Sequence, residues 1–246
     1  MLLSDGTEPE PSYCHPQNPA RGESIASIIE ALCFYYRSAR IVGPTLDVDG
    51  GVRTMSRIEP LTEPYAPEVE RALKRWMPPG VDHEPLSLFR TLHRNPELAS
   101  RMFVLGAGLL GHGLLPDIDR EVVIARATAR AECSYEWGVH VTAFWQSLGL
   151  TEEQLLATTK DRAAEAADWS PRLGALLDAV DELHDTAGIS DKAWSALRQY
   201  YDDAQLLELL VLAGWYRTIS QVANGLLLND EPWAAHLPAN SRSLDS

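Results

Sequence analysis

The stretch Glu121–Leu148, EVVIARATARAECSYEWGVHVTAFWQSL, decides how the rest of this 246-residue chain is read. Its apolar residues recur at helical spacing, and Glu132-Cys133-Ser134 has the look of a helix boundary. On a wheel of 100° per residue with Cys133 at zero, Glu136 falls at about −60°, His140 at about −20°, Phe144 at about +20° and Trp137 at about +40°. A thiol, a carboxylate and an imidazole therefore share one stripe with aromatic rings. Tyr135, Gly138 and Thr142 point the other way. A plain core helix does not mix chemistry and bulk in this fashion.

Outward from that stretch the chain is helix after helix. Toward the N-terminus, APEVERALKRWM (residues 66–77) is amphipathic and stops at Pro78-Pro79-Gly80. A short helical run covers residues 86–93, and Asn95-Pro96 restarts the chain as a helix with proline at its first position. That helix reaches about Leu110, ends in the glycine-rich GAGLLGHG, and by its apolar content is expected to be the most buried. Asp117 or Asp119 is expected to cap the Glu121 helix. Toward the C-terminus Gly149 closes the motif helix, and Thr151 with Gln154 forms a capping box. Ser170-Pro171 opens RLGALLDAVDELHDT, Gly188 ends it, and Ser190 caps DKAWSALRQYY. The last long helix runs from Asp203 to about Leu228. No alternating run lies between hairpin turns, so the expected fold class is all-α.

Three regions are expected: an extension over 1–54, a helical domain over 55–228 and a polar, loosely packed tail over 229–246. The extension opens with Gly, Pro, Ser and Glu, and Met55 is an alternative biological start. Net charge is −14, with no Lys/Arg run dense enough to follow a phosphate backbone. Nucleic acid and an anionic membrane are therefore not expected as partners. No apolar run reaches the roughly 18–20 residues of a membrane helix, and the N-terminus lacks the pattern of a signal peptide. Cys14, Cys33 and Cys133 are odd in number and widely spaced, so a reducing cytoplasmic setting is expected rather than a disulfide framework.

Glu121 lies twelve residues before Cys133, giving the pattern E-x11-C-x2-E-x3-H. This resembles the carboxymuconolactone decarboxylase / alkylhydroperoxidase D (AhpD-like) superfamily, whose redox branch carries E-x11-C-x2-C-x3-H. The resemblance covers residues 56–228 and implies an all-α AhpD-like bundle, assembly into homo-oligomers, a small-molecule substrate and no cofactor. It puts Glu121, Cys133 and His140 on family positions, with Glu136 where the redox branch has its second cysteine. A carboxylate cannot become a sulfenic acid, so a dithiol cycle within this motif is ruled out.

Two functional expectations follow. In the first, Glu121 and His140 move protons on a small organic acid or lactone, with Glu136 as a possible acid and Cys133 auxiliary. In the second, Cys133 alone reduces a hydroperoxide with the help of an outside thiol. An inactive oligomeric binding protein is a third reading. The bland readings stand beside them: Cys133 as an apolar filler, His140 as a satisfied core histidine, Glu121 as a first-turn acid on its helix dipole, and Glu136 paired to Arg130. A helix N-terminus favours the Cys133 thiolate while the neighbouring glutamates oppose it. His112, Trp137, Trp215 and Tyr216 are the candidate pocket residues, and Arg126 and Arg130 are candidate partners for a substrate carboxylate. Metal binding is not expected, because the spacing matches no common zinc signature.

Overall fold

The computed structural model describes residues 55–77 and 84–238. The expected extension, with Cys14 and Cys33, lies outside the described residues. Among those residues every regular element is helical: α1 (Pro67–Trp76), α2 (Ser87–Leu92), α3 (Pro96–Gly111), α4 (Asp117–Arg130), α5 (Ser134–Phe144), α6 (Glu152–Ala157), α7 (Pro171–Thr186), α8 (Asp191–Leu197) and α9 (Asp203–Leu226). Short 3₁₀ turns cover Gln146–Leu148 and Ala163–Glu165. None of these helices is long and apolar enough to cross a membrane.

The helix boundaries follow from local chemistry. Asn95, Thr151, Ser170, Ser190 and Asp202 each accept a hydrogen bond from the third backbone N–H of the helix they open. Thr151–Gln154 and Asp202–Gln205 complete reciprocal capping boxes. Gly149 takes the left-handed conformation after the turn at Gln146–Leu148. At the end of α7 that conformation belongs to Ala187 rather than to Gly188. The start of α4 departs from expectation too. Its N-cap is Pro116, and Asp117 and Asp119 lie inside the first turn.

The centre of the bundle is α4, buried from Asp119 to Ala129 and packed against α5, α7 and α9. The apolar α3 is not the most buried helix. Val104 is 73% exposed, Leu98 and Leu105 are exposed as well, and only Ala99 and Leu109 are buried. Apolar content records what a helix could bury; its place at the rim decides how much it does.

Residues 229–238, expected to pack loosely, lie along the outer face of α5. The Ala235 N–H donates to Thr142 Oγ1 at 2.9 Å and the Leu237 N–H to Ser134 Oγ at 3.1 Å. Gly138 lets this strap come close, since a Cβ there would fall 2.0 Å from the Ala235 carbonyl oxygen. Glu231, also buried, accepts from Tyr135 Oη at 2.6 Å and from the Ser87 N–H at 2.6 Å. The face of α5 that points away from the catalytic-type stripe is thus the face the strap covers.

Candidate active site

The site is made where α4 and α5 fold back on each other. After Arg130 the chain turns through Glu132, whose φ of 51° is left-handed, and the Cys133 N–H donates to the Thr128 carbonyl at 3.0 Å. Cys133 is the N-cap of α5 with extended backbone, and Ser134 is the first helical residue rather than the cap. The two helices then run side by side. Glu121, near the start of α4, meets His140, in the middle of α5.

Glu121 Oε2 accepts from His140 Nδ1 at 2.8 Å, and Oε1 accepts from Arg120 Nε at 3.0 Å. Arg120 also donates to Asp117 Oδ1 at 2.6 Å and to the Leu110 carbonyl at 3.3 Å. On the other side of the ring, His140 Nε2 lies 3.0 Å from Tyr216 Oη of α9 and 3.5 Å from Glu136 Oε1. Glu121, Glu136, His140 and Tyr216 are all buried. A carboxylate thus fixes one ring nitrogen and leaves the other to two groups that can give or take a proton.

The charges in this cluster hold one another. Burial pushes the Glu121 carboxyl up, but the His140 imidazolium and the Arg120 guanidinium outweigh it and the group ends below its ordinary range. Burial pushes His140 down, but Glu121 and then Glu136 reverse that and raise it to about 9. Near neutral pH the ring is an imidazolium. Tyr216 is raised well above its ordinary value by burial and by the two glutamates, so its phenol stays protonated.

Glu136, His140, Phe144, Tyr216, Trp215 and His112 all line one cavity of about 750 Å³, walled on the other side by α1, α2 and α3. Gly106 makes room for the Trp215 ring, which a Cβ there would approach to 3.2 Å. Trp137 does not face the cavity; it belongs to the main core, with Nε1 donating to Thr158 Oγ1 at 3.3 Å. Its wheel position, at the edge of the stripe, already sets it furthest from Glu136.

Cys133 is not a cavity-lining residue either. It is fully buried in a second apolar cluster with Leu88, Tyr135 and Ile219, and burial raises its thiol to about 11. A bond from the Glu136 N–H to its sulfur favours the thiolate, yet the Glu136 carboxylate opposes it and desolvation dominates. The helix N-terminus therefore does not make an activated thiolate here.

Other expectations on basic residues change. Arg126 is 1% exposed and makes a two-pronged ion pair with Asp181, at 2.6 and 2.7 Å, while also donating to the carbonyls of Thr158 and Lys160. Arg130 pairs with Asp181 and Asp185, not with Glu136. Both lie away from the cavity and hold α4 to α7. Arg120 is the site residue that the motif pattern passed over. Its signal was a cation in the first turn of α4, where the helix dipole disfavours one unless acids surround it. Lys74 and Arg75 at the end of α1 also reach the cavity. Among the described residues no group of three or more His, Cys, Asp and Glu side chains is placed to hold a metal ion.

Residues 96–182 match the model of the carboxymuconolactone decarboxylase family. That segment holds α3, α4, α5, α6 and most of α7. The fold is shared with solved AhpD-like proteins, the superfamily that the sequence pattern resembles. A peroxidase-related protein from a Silicibacter species superposes with a TM-score of 0.61 at 16% identity, over 74% of this chain and 96% of its own. The debrominase Bmp8, as a cysteine-to-alanine variant bound to 2,3,4-tribromopyrrole, gives 0.60 at 14% identity, over 72% and 92%. A protein of unknown function from Agrobacterium tumefaciens, with a suggested AhpD role in antioxidant defence, gives 0.52 at 22% identity, over 57% and 94%. These likenesses concern the fold. No curated protein matches the sequence.

Proposed function

We propose that the protein is an enzyme of this superfamily that performs cofactor-independent acid–base chemistry on a small organic acid or lactone. The observation that carries this reading is the buried line Arg120–Glu121–His140, which ends at Tyr216 and Glu136 on the cavity wall. Glu121 orients the ring and sustains its charge. His140, raised to about 9, is suited to give a proton rather than to take one near neutral pH. Tyr216 is a second donor beside the same nitrogen, and the Glu136 carboxylate is the acceptor.

For a decarboxylation, the carbon–carbon bond to a carboxylate placed β to a carbonyl breaks and carbon dioxide leaves. The electron pair moves onto the carbonyl oxygen as an enolate. Donors at His140 and Tyr216 stabilise that oxygen in a largely apolar cavity, where their interaction with developing charge is stronger than in bulk water. Return of a proton to carbon completes the step. The same groups serve an isomerisation, in which Glu136 removes a proton α to the carbonyl and an acid returns it elsewhere.

Reduction of a hydroperoxide by Cys133 is the competing reading. Its burial, its raised thiol and the carboxylate at the position of the second sulfur all weigh against it. The test is a screen of small lactones and β-keto acids, following carbon dioxide release and solvent deuterium incorporation. His140→Ala and Glu121→Gln should lower any turnover by about 100-fold or more, the usual scale of a general acid–base term, and Cys133→Ala should retain it. Turnover that survives His140→Ala, or that vanishes only with Cys133→Ala, would overturn the reading.

A further inference from the structure

The cavity beside His140 is larger than the acid–base chemistry alone requires. A five-membered lactone takes up roughly the liquid volume of four waters, at about 30 Å³ each, against a cavity of about 750 Å³. Among the described residues the polar side chains of its wall fall into two sets. Glu136, His140 and Tyr216 are buried, and Lys74, Arg75 and His112 are exposed. Every other lining residue is apolar or a glycine. The wall opposite α5 and α9 holds Leu88, Phe89 and Leu92 of α2 with Met102 and Phe103 of α3. These side chains offer no donor and only a weak sulfur acceptor, so a polar group brought against them sheds its water for little return. Trp76 of α1 packs on the same surface, its ring centroid 4.6 Å from Phe89 and 5.4 Å from Phe103.

We infer that the site takes an acid or lactone with a large apolar body, a molecule whose hydrocarbon part, chain or fused ring, outweighs its carbonyl head. A hydrocarbon body gains free energy in proportion to the area it takes out of water, and a wall of leucine and phenylalanine side chains receives it without a polar cost. A short lactone leaves most of the volume to water and gains little. A dicarboxylate of the same length brings the apolar wall a second charge, whose hydration it must give up. The acid–base groups of α5 and α9 thus select the head, while α2 and α3 select the body. The inference rests on reading this cavity as the substrate site, but not on which reaction occurs there.

The experiment titrates the full chain by calorimetry with γ-valerolactone, γ-octalactone and γ-decalactone, which share one head and carry methyl, butyl and hexyl side chains. Affinity is expected to rise about threefold for each added CH₂, at a stoichiometry of one lactone per chain. The hexyl chain ended in a carboxylate should give back most of that gain. Ala107→Trp brings a ring into the cavity from α3. It should weaken γ-decalactone about tenfold or more, the burial of two or three CH₂ groups, and γ-valerolactone little. Affinity that is flat along the series, or a chain-length gain unchanged in Ala107→Trp, overturns the inference. The series in the unaltered protein decides even if Ala107→Trp misfolds. Turnover of short lactones with no chain-length gain defeats this inference and leaves the proposed reaction standing. The gain without turnover of any member does the opposite.

Discussion

His140 is charged against its own burial because Glu121 and Glu136 lie beside it. Its raised pKa and the lowered pKa of Glu121 fix the sign of their pH dependence. For His140, folded above unfolded, the contribution to stability is full below about 6.5 and is lost as pH rises through about 9. For Glu121, folded below unfolded, it is full above about 4.5 and is lost as pH falls through the lowered value. The pair therefore contributes most between those two ordinary values. In an NMR titration the His140 ring should change protonation near 9, and Glu121→Gln should bring it to its ordinary range or below, where burial alone would set it. A ring titrating near 6.5 in both proteins would mean that Glu121 does not hold it. The motif spacing made Glu121 and His140 legible as a pair. It could not reveal Arg120, because a buried counter-charge is defined by what surrounds it in space.

At the level of elements, the helix starts were the most legible part of the sequence, since Asn95-Pro96, Thr151-x-x-Gln154 and Ser170-Pro171 act within four residues of themselves. What covers each helix face was not legible. The face of α5 bearing Gly138 and Thr142 read only as the one opposite the stripe, and it carries the strap from residues 229–238. Gly138→Ala sets a methyl against the Ala235 backbone, which cannot turn aside as a side chain could. It should destabilise the protein by about 1–3 kcal/mol, read from urea unfolding, and make the strap the first site of proteolytic cleavage. Unchanged stability and cleavage would show that the strap is free to shift. Likewise the apolar α3 misled as to burial, because hydropathy does not state which neighbour lies opposite.

Across the whole molecule, Cys133 is buried in a cluster whose members are drawn from far along the chain: Leu88 of α2, Tyr135 of α5, Ile219 of α9 and Leu228 beyond it. Reaching its sulfur means parting several of them together. With Cys14 and Cys33 replaced by Ser, its loss to a hydroperoxide at neutral pH should be no faster than that of an ordinary thiol, and its labelling should rise with urea in step with unfolding. Fast oxidation of the folded protein, abolished by His140→Ala, would restore the single-thiol reading. The left-handed turn at Glu132 has a consequence on the same scale. Glu121 and His140 are 19 positions apart, which on an unbroken helix would separate them by about 28 Å. The turn converts that span into one hydrogen bond. The proton affinity of the imidazole is consequently a gauge of tertiary closure: were the hairpin to open, the ring would lose its charge near neutral pH while both helices still stood.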